Sequence, residues 1–456
     1  MKKNIQYIAA LLLICFATAC TKQLDTSPTS SINSEDALKT SADVEGLLKG
    51  TYASLGSGSF LGGDVFVESE LLADDNDIDW TGTYQELTQI HNKAITTDNS
   101  FVASNWTQGY KVINQANIIL DSISLVVEPD RLAVKAGAEF IRGASYFYLV
   151  NLFAKSWNNG DPASNPGVPV VLKSTDPTKD LPESAKVKRN TVAEVYAQII
   201  TDLTDAEENL PEDNGFYANQ AAAAFMLARV YLQKGDYTNA AAAANRAIGY
   251  ADDLGKFLVG DYYDVFPYVD PPAAVPNTSE DIFALQVNST SGVNDFQTYF
   301  SALGRGDASI TDDHLAKYED GDDRLNLFYT SGGYTFTGKF DNLYGNVQIM
   351  RLAELYLIRA EANFRMHTNV GAKPVTDINT VRERVLLPDY SSGELTLDKI
   401  LHERYVELAF EGSRLMDIKR TETSLTTTVW NSPKLVFPIP KREIQVNSNL
   451  TQNEGY

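Results

Sequence analysis

Three groups of side chains in this sequence have the types and spacing to do chemistry. Glu403, Glu407 and Glu411 recur at i, i+4 and i+8, with Arg404, Arg414, Asp417, Lys419 and Arg420 close by. Two carboxylates facing each other across a glycosidic bond would be hydrolytic machinery. Acids and bases interleaved at helical pairing distances are equally the pattern of a structural ion-pair cluster. A second group, Asp74, Asp75, Asp77 and Asp79, suggests a calcium loop. An EF-hand loop starting at Asp74 needs Gly at its sixth position and Glu at its twelfth, where this chain has Asp79 and Gln85. A solvated or ligand-contacting loop is the better reading. His91, His314, His367 and His402 are scattered without metal-ligand spacing, and there is no phosphate-cradling glycine loop and no nucleophile elbow. From these residues we expect no catalytic centre, no metal and no cofactor.

The third group would bind rather than react. Sugar rings carry apolar C–H faces ringed by hydroxyls, so a glycan site wants flat aromatic platforms beside amides, carboxylates or guanidinium groups. Aromatic side chains give large contact area while fixing only two torsions. The chain has 4 Trp, 23 Tyr and 20 Phe, so most must be core and the useful ones have to be sought in loops. Trp80 and Tyr84 follow the aspartate cluster, with Asp77, Asp79, Thr81 and Thr83 as polar neighbours. Gly82 between them would let a ligand approach the backbone. Trp157 stands beside Asn158 and Asn159, Tyr299 follows Asn294 and Asp295, and Tyr334 lies in a glycine-rich stretch. Trp80, Asp79, Tyr84, Trp157, Tyr299 and Tyr334 are therefore the candidate glycan-binding residues, with Trp80 first among them.

The segments that carry these residues begin with an export signal. Met1-Lys2-Lys3 is a basic start, an apolar run follows from about Ile8 to Phe16, and Ala17, Thr18 and Ala19 are small. The run is too short to span a bilayer. The only two cysteines are Cys15, inside the removed part, and Cys20, where cleavage of residues 1–19 would leave it first. This resembles a bacterial lipoprotein signal, although Ala17 stands where Leu is usual. Several acyl chains on one cysteine give lasting anchorage, so Cys20 is the expected lipid anchor. Residues 20–34 are polar and read as a tether. No later segment has the unbroken apolar length of a membrane helix. A formal charge of −22 argues against nucleic acid or anionic lipid as partners.

Beyond the tether the pattern is helical. In LAVKAGAEFIRGASYFYLVNLF, Leu132, Ala136, Phe140, Ala144, Phe147 and Tyr148 recur at helical spacing, and Lys135, Glu139 and Arg142 take the opposite face. Thr191 and Glu194 form a capping box that opens another helix. Residues 221–248 read as a tetratricopeptide-like hairpin, two alanine-rich runs around Lys234-Gly235-Asp236. VQIMRLAELYLIRAEANFR, from Val347 to Arg365, predicts a deeply buried helix. Between the helices, 56–84, 154–190, 252–281, 288–306 and 328–346 read as long aromatic-containing loops, which in a packed domain are usually functional. Such a frame suits a binding protein or an α/α-toroid enzyme.

These residues resemble, almost end to end, the SusD/RagB-like outer-membrane nutrient-binding lipoproteins of the Bacteroidota. QLDTSPTSSINSEDAL, WTQGYKVINQANIILDSI, AEFIRGASYFYLVNLF, SEDIFALQVN and GDDRL are similar to landmarks of that family. The strongest likeness is the ordered set from 347 to 456: RLAELYLIRAEA, INTVRERV, HERYVELAFEGSRLMDIKR and LVFPIPKREIQVNSNLTQNEGY. Val385-Leu386 replaces the family's usual Ala-Gly, and Ala154 stands where Gly is common. The resemblance implies a single, mostly α domain over residues 35–456, with tetratricopeptide-like hairpins supporting a loop-rich irregular half. It also implies a non-catalytic lipoprotein, exposed at the cell surface, that captures oligosaccharide for a SusC-like TonB-dependent transporter. A peptide-binding RagB-like member is the alternative, and an anchored glycoside hydrolase or lyase a more distant one. The resemblance favours a structural role for the Glu403–Glu411 cluster. It also assigns Trp106, Tyr110, Tyr262, Tyr263 and Phe266 to packing, since they sit in family-like stretches.

Overall fold

The computed structural model describes residues 38–175 and 186–456. The expected signal 1–19, the anchor Cys20 and the tether 20–34 lie outside the described residues. The first described helix, α1 (Ser41–Leu55), opens on Thr40, which accepts from the Asp43 amide while the Asp43 carboxylate accepts from Thr40 N–H. It is followed by α2 (Asp64–Ala73), β1 (Ile78–Trp80), α3 (Gln85–His91), α4 (Ser100–Asp121) and α5 (Arg131–Phe153). The Thr191–Glu194 capping box is present at the start of α6 (Val192–Asn209), with Glu194 Oε2 2.8 Å from Thr191 N. Next come α7 (Gln220–Gln233) and α8 (Tyr237–Asp253), joined by a turn in which Gly235 has φ +69°.

The remaining elements are β2 (Asp281–Leu285), α9 (Asp295–Phe300), β3 (Ala308–Ile310), α10 (Asp312–Leu315), β4 (Phe328–Ser331), β5 (Tyr334–Thr337) and β6 (Val347–Arg351). The chain closes with α11 (Leu352–Met366), α12 (Pro374–Arg384), α13 (Leu397–Glu407), α14 (Arg414–Arg420) and α15 (Lys441–Val446). From Thr40 on, the described residues belong to one unit.

Helices α4 to α8 pack in sequence order, each against the next, α8 packs on α11, and α11 on α12 and α13. The α7–α8 hairpin predicted from the alanine runs is present. Ala221, Ala222, Ala223, Ala224 and Ala228 of one helix and Ala240, Ala243, Ala244 and Ala247 of the other are all buried. Small side chains at the seam let the two backbones approach closely. Trp106 sits in the core against Phe153, ring centroids 5.0 Å apart, as the packing assignment requires, whereas Tyr263, given the same assignment, is exposed. Two small antiparallel sheets lie outside the helical layer, one in the order β1-β3-β5-β4 and the other pairing β2 with β6. No helix among the described residues is long and apolar enough to cross a membrane.

Four expectations need correction. The 56–84 segment holds α2, in which every residue after Asp64 is buried. A helix surrounded by core shows no apolar stripe for periodicity to detect. Val347–Arg351 is a strand, not the first turn of a helix, because a short all-apolar run fits either state and pairing with β2 decides it. On α5, Leu132 is exposed and Arg142 is buried, held by Asp202 through two bonds of 2.7 and 2.8 Å. Glu411 is not on the helix of Glu403 and Glu407: α13 ends at Glu407, and Phe410 and Gly412 both take positive φ. Of the other predicted loops, 288–306 contains α9 and 328–346 contains the β4–β5 hairpin.

Candidate ligand-binding site

Trp80, Tyr84 and Tyr299 come together. Strand β1 is fixed by pairing with β3, with Ile78 opposite Ile310 and Trp80 opposite Ala308, and Thr81 N–H extends the ladder to Asp307 O at 2.8 Å. Trp80 leaves the strand end and lies over Gly82, where an added Cβ would come within 2.2 Å of the indole ring. The glycine therefore makes room for the tryptophan rather than for a ligand, a correction to the sequence reading. Trp80 Nε1–H donates to Thr88 Oγ1 at 2.9 Å, and Thr88 donates on to Tyr84 O at 3.0 Å. The Trp80 ring is thus half-buried and pinned against the core.

Tyr84 immediately precedes α3 and is 40 % exposed. Its ring meets Phe101 of α4 edge-on at 5.7 Å and Tyr299 of α9 at 6.4 Å, and Tyr299 lies 6.3 Å from Trp80. Arg305, from the loop between α9 and β3, places its guanidinium 4.6 Å from the Tyr84 ring centroid. The same guanidinium donates to Thr83 Oγ1 at 2.9 Å and to Asp307 Oδ2 at 2.7 Å, so its position is fixed from two sides. The rim is exposed at Thr81, Thr83, Leu303, Gly304 and Arg305. The whole is an aromatic surface with a held cation and exposed threonines at its edge, which can offer C–H/π contact and hydrogen bonds together.

Behind this surface the chemistry turns acidic. Asp64 and Glu68 lie one turn apart on α2, and Asp295 and Tyr299 one turn apart on α9. The two helices are clasped by Phe66 stacked on Phe296, 5.9 Å between centroids. Burial raises the Asp295 carboxyl to about 6; burial and the neighbouring Asp295 raise Asp64 to about 8. Burial and Asp64 push Glu68 well above the usual carboxylate range, against one hydrogen bond from Asn105 Nδ2 at 2.6 Å. Burial, followed by the charges of Asp64 and Asp295, raises the Tyr299 hydroxyl.

The other candidates are elsewhere. Asp79 is exposed on β1, where alternation turns it away from the face that Ile78 and Trp80 share. Asp77 is buried in an ion network, its carboxylate 3.1 Å from His314 Nδ1 and 2.6 Å from the Tyr405 hydroxyl. Although burial opposes its charge, the hydrogen bonds from His314, Lys317 and Tyr405 hold Asp77 well below the usual range. Trp157 packs on Tyr196 of α6 at 5.3 Å with Lys234 Nζ 4.8 Å from its ring, and Asn158 is tied to Lys419 O. Tyr334 is exposed on the same sheet as Trp80 but at its other end: it stands one residue beyond the Ile310–Thr335 pair, while Trp80 is opposite Ala308.

Glu403, Glu407 and Glu411 each face cations. Arg324 reaches Glu403 at 2.7 Å, Arg351 reaches Glu407 at 3.0 Å and Glu411 at 2.8 Å, and Arg384 bridges Glu280 and Glu407. Burial works against the Glu407 charge, yet Arg384, Arg351 and Arg324 hold its carboxyl far below the usual range. Sequence reasoning missed Phe101, Thr88, Arg305, Asp64 and Glu68. The i, i+4 spacings of Asp64 with Glu68 and Asp295 with Tyr299 were the available signal, hidden because neither short helix shows amphipathic periodicity.

Two family models match this chain. One, described as "Starch-binding associating with outer membrane", covers residues 22–232, and the SusD family model covers residues 324–435. The chain belongs to the SusD/RagB-like family. It is similar along its whole length to SusD-like protein P2 of Formosa agariphila, 28% identical with 100% of both chains covered. It is 24% identical to the starch-binding protein SusD of Bacteroides thetaiotaomicron over 75% of this chain and 76% of that one. A crystal structure of a putative sugar-binding protein from Bacteroides vulgatus superposes with a TM-score of 0.83 at 27% identity, covering 92% of this chain and 99% of that one. The mostly α, SusD-like fold expected from the sequence is the fold observed, and the family is one of carbohydrate binders.

Proposed function

We propose that this SusD-like protein is a cell-surface lipoprotein, anchored in the outer membrane through Cys20, that captures oligosaccharide and passes it to a SusC-like TonB-dependent transporter. The observation that carries the reading is the Trp80–Tyr84–Tyr299 cluster with Arg305 held over Tyr84, in a family whose model is described as starch-binding. Tyr84 is the side chain that would stack on a sugar ring, while Trp80 and Tyr299 would back it. The protein would act without catalysis, since the acids that could have formed a hydrolytic pair are consumed by Arg324, Arg351, Arg382 and Arg384. The test is native gel electrophoresis of the purified protein through a panel of polysaccharides, with reducing ends assayed on the same mixtures. Retardation by at least one glycan with no reducing ends released is expected. Release of reducing ends would convert the protein into an enzyme, and retardation by none of them would favour a peptide ligand.

A further inference from the structure

Buried carboxylates in this protein generally meet a cation. Asp202 meets Arg142, Asp377 meets Arg359, Glu354 meets Arg229 and Arg404, and Glu361 meets Arg420. Asp64, Glu68 and Asp295 do not. Among the described residues no basic group acts on any of them, and neither Asp64 nor Asp295 receives a side-chain hydrogen bond. Glu68 is fully buried, one turn from Asp64 on the same face of α2, and its Oε1 has no partner. Asn105, which donates to its other oxygen, is fully buried too and leaves its own Oδ1 without a donor. Carboxylates stripped of water and left without a cation are costly, so these groups hold their protons, and the cluster marks a place that an arriving cation would ionise.

The cluster is reachable. Asp64 and Asp295 are half-buried, and Asp295 lines a groove of about 820 Å³ together with Tyr52, Tyr217, Phe283, Gln108 and Gln286. Asp295 is seated against the glycines before α2: a Cβ added at Gly58 would meet its Oδ2 at 2.2 Å, and one at Gly63 would meet its Cβ at 2.3 Å. That close approach seats Asp295 against the start of α2, where Asp64 is the first residue. Lys49 of α1 and Lys111 of α4 line the same groove, and neither forms an ion pair with Asp295. Arg305 is committed to Asp307 and Thr83, and Glu70, also on α2, accepts from the Gly412 amide.

We propose that Asp64 and Asp295, backed by Glu68, form a subsite for a primary ammonium group. This rests on the reading that the adjoining Trp80–Tyr84–Tyr299 surface binds glycan, and it names the ligand's class: a glycan with unacetylated amino sugars. An ammonium brings charge and three N–H donors in exchange for the protons that the acids give up. A neutral hydroxyl brings no charge to favour the ionised carboxylates, and a uronate or sulfate would add like charge to the cluster.

The test is calorimetric titration of the purified protein with a glucosamine oligomer, its N-acetylated counterpart of equal length, and a short lysine-containing peptide. It is run at mildly acidic pH in two buffers of different ionisation enthalpy. The free amine should bind at least tenfold more tightly than the acetylated oligomer and release protons on binding, because an ammonium favours the ionised carboxylates. The preference should vanish in Asp64→Asn/Asp295→Asn, or in Asp295→Asn alone, with any binding of neutral glycan kept. Equal affinities, or a preference that survives the substitutions, would overturn the subsite. If neutral glycans bind and no amine is preferred, the subsite fails and glycan capture stands. If only the lysine peptide binds, and loses affinity in the Asn variants, the ammonium subsite stands, while glycan capture and the amino-sugar class fall.

Discussion

Asp64 and Asp295 hold their protons longer than ordinary carboxylates do; burial is the cause at both, and the neighbouring Asp295 adds to it at Asp64. A carboxyl whose pKa is higher in the folded chain than in the unfolded one binds more protons when folded, so stability falls as pH rises between the two values. With folded values of about 6 and about 8, the loss should develop as pH rises from the acidic range, near the ordinary carboxylate pKa, and be complete above about pH 8. Melting temperature should therefore decline across that range in the wild type and decline less in Asp64→Asn/Asp295→Asn. Parallel pH profiles for the two proteins would count against the unpaired acidic cluster. Trp80 makes the complementary point about single residues. Its polar neighbours marked it as exposed, but its ring is folded over Gly82 and its N–H is committed to Thr88, which leaves Tyr84 as the side chain facing solvent.

Helices α12 and α13 and strand β6 meet at a buried charge network, beside the apolar seam that Leu357, Ile378, Val381 and Ile400 form between α11, α12 and α13. Glu407 alone is approached by Arg324, Arg351 and Arg384, each nearly devoid of solvent. Removing one partner from such a network strands the rest in a medium that solvates charge poorly, and typically costs about 3–5 kcal/mol. Glu407→Ala should lower unfolding free energy by about that amount in urea titration while glycan affinity, measured well below the melting point, stays near wild type. Unchanged stability with lost binding would put Glu407 in a site. The network also explains which elements the sequence revealed. The α6 cap and the α7–α8 hairpin rest on local signals, Thr191 with Glu194 and two alanine runs around Gly235, and both stand where expected. Helix α2 and strand β6 are decided by what surrounds them: one is buried on all sides, and the other is a strand only because β2 pairs with it.

Across the whole chain, the helical layer holds short irregular pieces, β1, α3, α9 and the loop to β3, in a fixed relation to one another. The candidate site is made where they meet. Three of the six residues singled out from sequence, Trp80, Tyr84 and Tyr299, converge there, although Tyr299 is more than two hundred positions from the other two. Loop position and polar neighbours singled them out, which is right for Tyr84, whereas Tyr299 stands on α9 with its ring buried in the core. Trp157 and Tyr334 satisfied the same criteria but face other surroundings, since nothing local encodes which loops the fold brings together. Arg305 carried no local mark at all; it matters only through its place over Tyr84. The central claim is that this surface captures glycan through Tyr84. Calorimetry on wild type and Tyr84→Ala, with the glycan that retards the protein in gels and with melting temperature recorded on both, tests it most directly. The account predicts more than a tenfold loss of affinity, about 1.4 kcal/mol or more, with little change in melting temperature. Affinity equal to wild type in a fully folded Tyr84→Ala protein would contradict it.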